Sequence, residues 1–329
     1  MIMAKITTAH FGCHNDHFKT KEHLMRKSYK LLTKAFPVFM LELVVCAALG
    51  TIAFLTSYDS GSGWLSTGYV SIFFWLVVAL TLATAIAIPV FSKDAGIVRF
   101  KDKYGFVAFA ATLAGIIVFA LFVIEFCRFV TSSNISVWRF IRSFVSIVVA
   151  LNFIIEAVPH KLIKKYVNKT IRIILSLSSI LWGVLSILSV YFDENVPMSN
   201  ITKTMLLLTY VAITAFLLFE AEFKHAKKRI IAYTATASLA AFTSFSFCVP
   251  IALSLRSLAT INFTVMEFVV CATIGLYALS KICSMIRTMH HVITTHQDDG
   301  ASHHTSHKHH DSKDGNDDTK NGGKKEAQA

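Results

Sequence analysis

YVSIFFWLVVALTLATAIAIPVF, residues Tyr69–Phe91, runs for 23 residues without a charge. At 1.5 Å per residue a helix of about 20 residues crosses a ~30 Å hydrocarbon core. The stretch is continuously apolar and does not alternate, which favours a helix over a barrel strand, the only other structure that satisfies its backbone inside a bilayer.

Seven more blocks of this kind follow from the same reading: Phe36–Thr56, Tyr104–Cys127, Ile135–Val158, Ile171–Phe192, Ile201–Phe219, Ile230–Leu253 and Leu258–Cys283. Together with Tyr69–Phe91 they predict an all-α polytopic membrane protein with eight transmembrane helices. The composition agrees: 54% of the 329 residues are hydrophobic, only 16% are charged, and mean hydropathy is +0.57, whereas soluble domains are about a quarter charged. The organisation expected is a cytoplasmic basic arm over 1–35, an eight-helix membrane domain over 36–283, and a disordered His-rich cytoplasmic tail over 284–329. The arm holds seven Lys or Arg and no apolar core, so a cleavable signal peptide is not read there.

Basic residues near membrane ends gather on the cytoplasmic side. Here 27 of the 32 Lys and Arg fall in the arm, in 92–103, 159–172 and 221–229, and from Lys281 onward. The intervening Ser57–Gly68 and Asp193–Asn200 have none. An even number of spans with both termini in the cytoplasm satisfies every loop, and the plasma membrane is the expected location. The net charge of +12 then reads as a collar facing anionic headgroups. No basic stripe with interleaved aromatics marks a nucleic-acid surface. The six cysteines form no framework in an outer loop.

Odd-numbered spans begin near 36, 104, 171 and 230, and the returning spans end alike: Ile86-Ala87-Ile88-Pro89, Glu156-Ala157-Val158-Pro159, Glu220-Ala221-Glu222-Phe223 and Tyr277-Ala278-Leu279-Ser280. This suggests four tandem helical hairpins, although any series of returning spans would end in small and basic residues.

Charges inside spans are expensive and mark candidate sites. Glu267, read at about ten residues into the last block, is expected near the midplane, with Ser or Thr of the seventh span as its first candidate partners. Glu42 lies two turns inside the first block. At the outer face Glu125, Arg128, Arg139 and Arg142 form a cluster with one carboxylate against three guanidinia. That excess could receive an anion or be an interfacial ion-pair network. Glu156 and Glu220 have His160 and Lys224 four residues on, the favourable helical spacing for pairing. The seventh span is small and polar nearly all round, from Thr234 to Ser246, which suits central packing and a wetted path equally well.

His10, Cys13, His14 and His17 in the arm, and His303, His304, His307, His309 and His310 in the tail, carry ligands suited to weak divalent transition-metal binding. Their spacing matches no closed zinc module. No HExxH, Walker A or GxSxG pattern occurs, and no span contains His, so no catalytic residues are assigned. Three functions remain: small-solute or ion translocation through intramembrane carboxylates; a membrane sensor, scaffold or assembly factor; and, less favoured, a membrane enzyme acting on a lipid-linked substrate. The second draws on the absence of Gly- or Pro-broken midspan helices, which transporters use at their sites.

Overall fold

The computed structural model describes residues 3–59, 62–92, 105–131, 137–158, 167–193, 196–226, 230–254 and 265–305, with side chains within 27–224 and 230–290 of those ranges. Eight helices in it are long and apolar enough to cross a membrane. The helices are α1 (Met3–Ser57), α2 (Tyr69–Phe91), α3 (Gly105–Thr131), α4 (Val137–Ala157), α5 (Lys169–Tyr191), α6 (Ile201–Ala226), α7 (Ile230–Ser254) and α8 (Val265–Thr305). The chain is a multi-pass helical membrane protein. Two compact units divide it: 1–290, which holds all eight spans, and 291–329, whose backbone is described as helical up to Thr305.

Expected and observed spans agree closely for α2, α5 and α7. The last overlaps its expected block from Val265 onward. The expected block begins at Leu258, but 255–264 lie outside the described residues and the described helix begins at Val265. The turn after α1 holds a short antiparallel strand pair in which Tyr58 pairs with Leu65 and Asp59 with Trp64. Gly63 turns it at φ 70, a left-handed conformation that favours glycine. The hairpin is tied to the start of α6 by the Ile201 amide, which donates to the Gly63 carbonyl at 3.1 Å. We call this the hairpin end of the bundle.

Packing follows small residues. On α3 the buried stripe Val107, Ala110, Ala111, Ala114, Gly115, Val118 and Leu121 repeats at helical spacing. It faces α4 closely enough that a Cβ on Gly115 would lie 3.0 Å from the Ala150 carbonyl oxygen. α4 and α5 meet through serines of both: Asn152 of α4 donates to Ser179 of α5 at 2.8 Å, and Trp182 Nε1 of α5 donates to Ser146 of α4 at 2.9 Å. α1 packs on α2, α3 on α4 and α5 on α6, but α4 also packs on α5, α6 on α7, and α2 on α7. Phenylalanine and aliphatic side chains such as Phe73, Phe109, Phe119 and Leu41 cover the outside, where lipid tails would lie.

α7 and α8 are the two most enclosed spans. α7 is not regular: over Ser244–Cys248 it opens into a π turn, with the Val249 amide reaching back to Ser244. Pro250, two residues on, has no N–H, so an upstream carbonyl must lose its usual partner and the widened turn absorbs the mismatch. The helix widens there but continues to Ser254. Against the π turn, Gly275 of α8 comes so close that a Cβ there would overlap Ser244.

Candidate functional site

Arg142 is fully buried in the second turn of α4. Its Nη2 donates to Oε1 of Glu125 on α3 and, at 2.7 Å, to Oε1 of Glu267 on α8; its Nη1 donates to Ser189 Oγ on α5 at 2.9 Å. Ser143 Oγ donates to the other Glu125 oxygen at 2.6 Å. One guanidinium thus ties four helices together and carries two carboxylates on one nitrogen. Glu267 Oε2 and Arg142 Nε are buried without a hydrogen-bond partner.

This placement changes the reading of Glu267. The partner of the carboxylate is the guanidinium of Arg142 on α4, not a hydroxyl of α7. Glu267 stands in the first turn of the described α8, at the hairpin end, on an arginine 125 residues earlier in the chain. The arginine cluster changes too. Arg142 is shared by Glu125 and Glu267, Arg139 pairs with Asp193, and Arg128 is exposed. The buried triad therefore holds two carboxylates against one guanidinium, the opposite sign from the expected positive excess. Its rim holds Arg139 and Lys203 around Asp193; the Lys203 ammonium, itself buried, donates to the Asp193 and Val196 carbonyls at 2.7 and 2.8 Å. Charge balances over the whole end only by counting this rim.

A second cluster lies at the opposite end. Lys224 Nζ is 3.0 Å from both Glu156 and Glu220; Lys281 stands 3.8 and 3.6 Å from the same two. Tyr277 Oη donates to Glu220 Oε1 at 2.5 Å. The Glu220–Lys224 pairing four residues apart is as expected. Glu156 instead reaches across to α6 and α8, and its expected partner His160 lies outside the described residues.

Glu42 is half-buried on α1, one turn before Cys46, and its Oε2 is buried without a partner. It is not brought to the Arg142 triad by any described contact. His10, Cys13, His14 and His17 lie on the α1 backbone, and His303 and His304 on that of α8, with side chains outside the described residues; His307, His309 and His310 lie outside them entirely. Among the described residues no group of three His, Cys, Asp or Glu is arranged to hold a metal.

Asp193, Lys203, Ser143, Ser189 and Tyr277 are site residues that local spacing did not single out. The signal available for Asp193 was its position: an acid just after α5, at the same end of the bundle as Arg139. Comparison with family models, with curated proteins and with solved structures finds no match to this chain.

Proposed function

We propose that this is a plasma-membrane protein that translocates a proton or another small cation, with both termini in the cytoplasm. The observation that carries the reading is the Arg142 triad: two enclosed carboxylates share one guanidinium nitrogen, and one oxygen, Glu267 Oε2, is buried and unsatisfied. An uncompensated buried carboxylate is driven to take up a positive charge. Protonated or cation-bound, Glu267 can leave a matched Arg142–Glu125 pair behind, so charge can come and go without breaking the fold. The π turn and the polar interior of α7 beside it support a path rather than a sealed core.

The test is cation flux into vesicles reconstituted with the purified protein. Glu267→Gln keeps shape and leaves Arg142 paired to Glu125, so the variant is expected to fold with unchanged elution and Tm while flux falls to that of empty vesicles. A folded Glu267→Gln protein with wild-type flux would remove the reading. It would then favour a sensor, scaffold or assembly factor, which the closed pairing of Glu156, Glu220, Lys224 and Lys281 supports as a static tie between helices.

The orientation rests on the 27 of 32 basic residues placed on one face by the span order; these would meet anionic headgroups, and nucleic acid is not proposed as a partner. Cysteines introduced at Ser60 and Asn195 should react with an impermeant maleimide added to intact cells, and cysteines at Asn168 and Asp314 should not. Labelling at Asn168 would overturn the orientation.

A further inference from the structure

We propose that the basic arm carries a binding site for one zinc-type divalent transition-metal ion, made by His10, Cys13, His14 and His17 on a single face of α1. The site stands apart from the Arg142 triad, and nothing in it depends on translocation.

In sequence alone these four residues match no zinc module. The backbone gives them an order. α1 is helical from Met3 to Ser57, so the helix runs through the arm before it enters the first span. A helix turns about 100° and rises about 1.5 Å per residue. On that geometry His10, Cys13, His14 and His17 fall within an arc of about 100° and within about 10.5 Å of helix axis. Cys13 and His14 are at the middle of the stripe, with His10 one turn before and His17 one turn after. His10 with His14, and Cys13 with His17, are interleaved pairs at four-residue spacing; His10 with Cys13, and His14 with His17, are pairs at three. Positions so spaced are neighbours on a helix surface. Four-residue spacing is how a helix offers two histidines to one zinc ion, and four nitrogen and sulfur ligands make a closed tetrahedral zinc site.

The rest of the arm selects the ion. Its two acids, Asp16 and Glu22, lie about 110° and 130° around the helix from the centre of the stripe. Magnesium and calcium take oxygen ligands, and no carboxylate position falls on this face. Imidazole and thiolate suit zinc and its borderline neighbours. His23, the remaining histidine of the arm, is also off the stripe, by about 130°. The tail offers a different set: it has many histidines but no cysteine after Cys283. A sulfur ligand therefore distinguishes the arm from the tail.

Binding balances simply. The Cys13 thiol releases one proton to solvent and forms the metal–sulfur bond as a thiolate, while the imidazoles bind as neutral bases. Gly12 lies inside the run of ligands, and a glycine costs a helix interior about 1 kcal/mol relative to alanine. An ion shared by the turns on both sides of Gly12 would hold the helix at its weakest point.

The test titrates the full-length protein, in detergent under reducing conditions, with cobalt(II), which takes the same ligands as zinc and absorbs where zinc does not. Wild type should show a thiolate-to-cobalt charge-transfer band that saturates at one ion per chain and is bleached by zinc. Cys13→Ser should abolish the band and Cys283→Ser should leave it. His14→Gln and His17→Gln should each weaken the titration by at least about tenfold, since even outer-shell partners of a metal cost about 10–100-fold; His23→Gln should not change it. Zinc should also slow amide hydrogen exchange across residues 10–17. Cobalt bound without a sulfur band would overturn the site, as would a band that survives Cys13→Ser. His23→Gln weakening the titration as much as His17→Gln would mean that any histidine of the arm serves, and would overturn the helical face; so would exchange unchanged by zinc.

Discussion

Arg142→Gln is expected to abolish folded protein: little monodisperse material in detergent, and a Tm far below wild type in what remains. Arg142 has no solvent exposure, and it is the shared partner of Glu125 and Glu267. Removing one member of a buried ion pair strands the other charge and costs about 3–5 kcal/mol. Here two carboxylates are stranded, and both would have to be protonated for the fold to survive. Arg142→Lys should fall between, because an ammonium on a flexible stem lacks the guanidinium's planar fork. Arg139→Gln is the internal control. Its side chain is 24% exposed, where Arg142 has none, while its partner Asp193 is buried, so its loss should cost less than that of Arg142 but more than the ~1 kcal/mol or less of a fully exposed pair. Thermal unfolding of the three variants in one detergent measures the order. Arg142→Gln unfolding within error of wild type would mean that the triad does not hold α3, α4 and α8 together.

Gly275→Ala is expected to be strongly destabilising, since among the described glycines it is the one whose added Cβ meets another Cβ at 2.3 Å. The added Cβ would lie 2.6 Å from Ser244 Oγ and closer still to Ser244 Cβ. Rotating the hydroxyl cannot relieve a clash between two backbone-anchored carbons, so α7 and α8 must separate. Overpacking a close-packed interior typically costs about 1–3 kcal/mol, and these two helices carry more of the buried core than any others. The compensating change is Ser244→Gly, which removes the opposing Cβ. The double variant should regain most of the lost Tm, while Ser244→Ala in the same background should not. Gly105→Ala, which would meet nothing within 4 Å, should be neutral. If Gly275→Ala and Gly105→Ala melted alike, the close crossing of α7 and α8 would be wrong.

The spans were legible because hydropathy over about 20 residues reports the bilayer itself, and the solvent imposes that pattern on each helix separately. The expected start of the last block, Leu258, lies outside the described residues. Pairings within one helix, such as Glu220 with Lys224, were legible at i,i+4. Glu267 with Arg142, or Glu156 with Lys281, were not, because nothing local records which helices become neighbours. The sign of the charge at the hairpin end went wrong for the same reason: three arginines near one glutamate in sequence became one arginine between two glutamates in space, with Arg139 drawn to Asp193 and Arg128 outside. The small-polar character of α7 was visible, but its π turn depends on where Pro250 falls against the hydrogen-bond ladder and leaves no compositional trace.

The central claim is that the Arg142 triad holds one carboxylate more than its guanidinium requires, and its most direct test is Tm across a short series of variants. Glu125→Gln and Glu267→Gln, made singly, should each unfold close to wild type, because the remaining carboxylate still neutralises Arg142. The double variant should fall steeply, by about the 3–5 kcal/mol of a stranded buried charge, since the guanidinium is then left without a counter-ion. Either single variant losing as much stability as the double would contradict the account, because it would show that both carboxylates are structural and that neither is free to take up and release a positive charge.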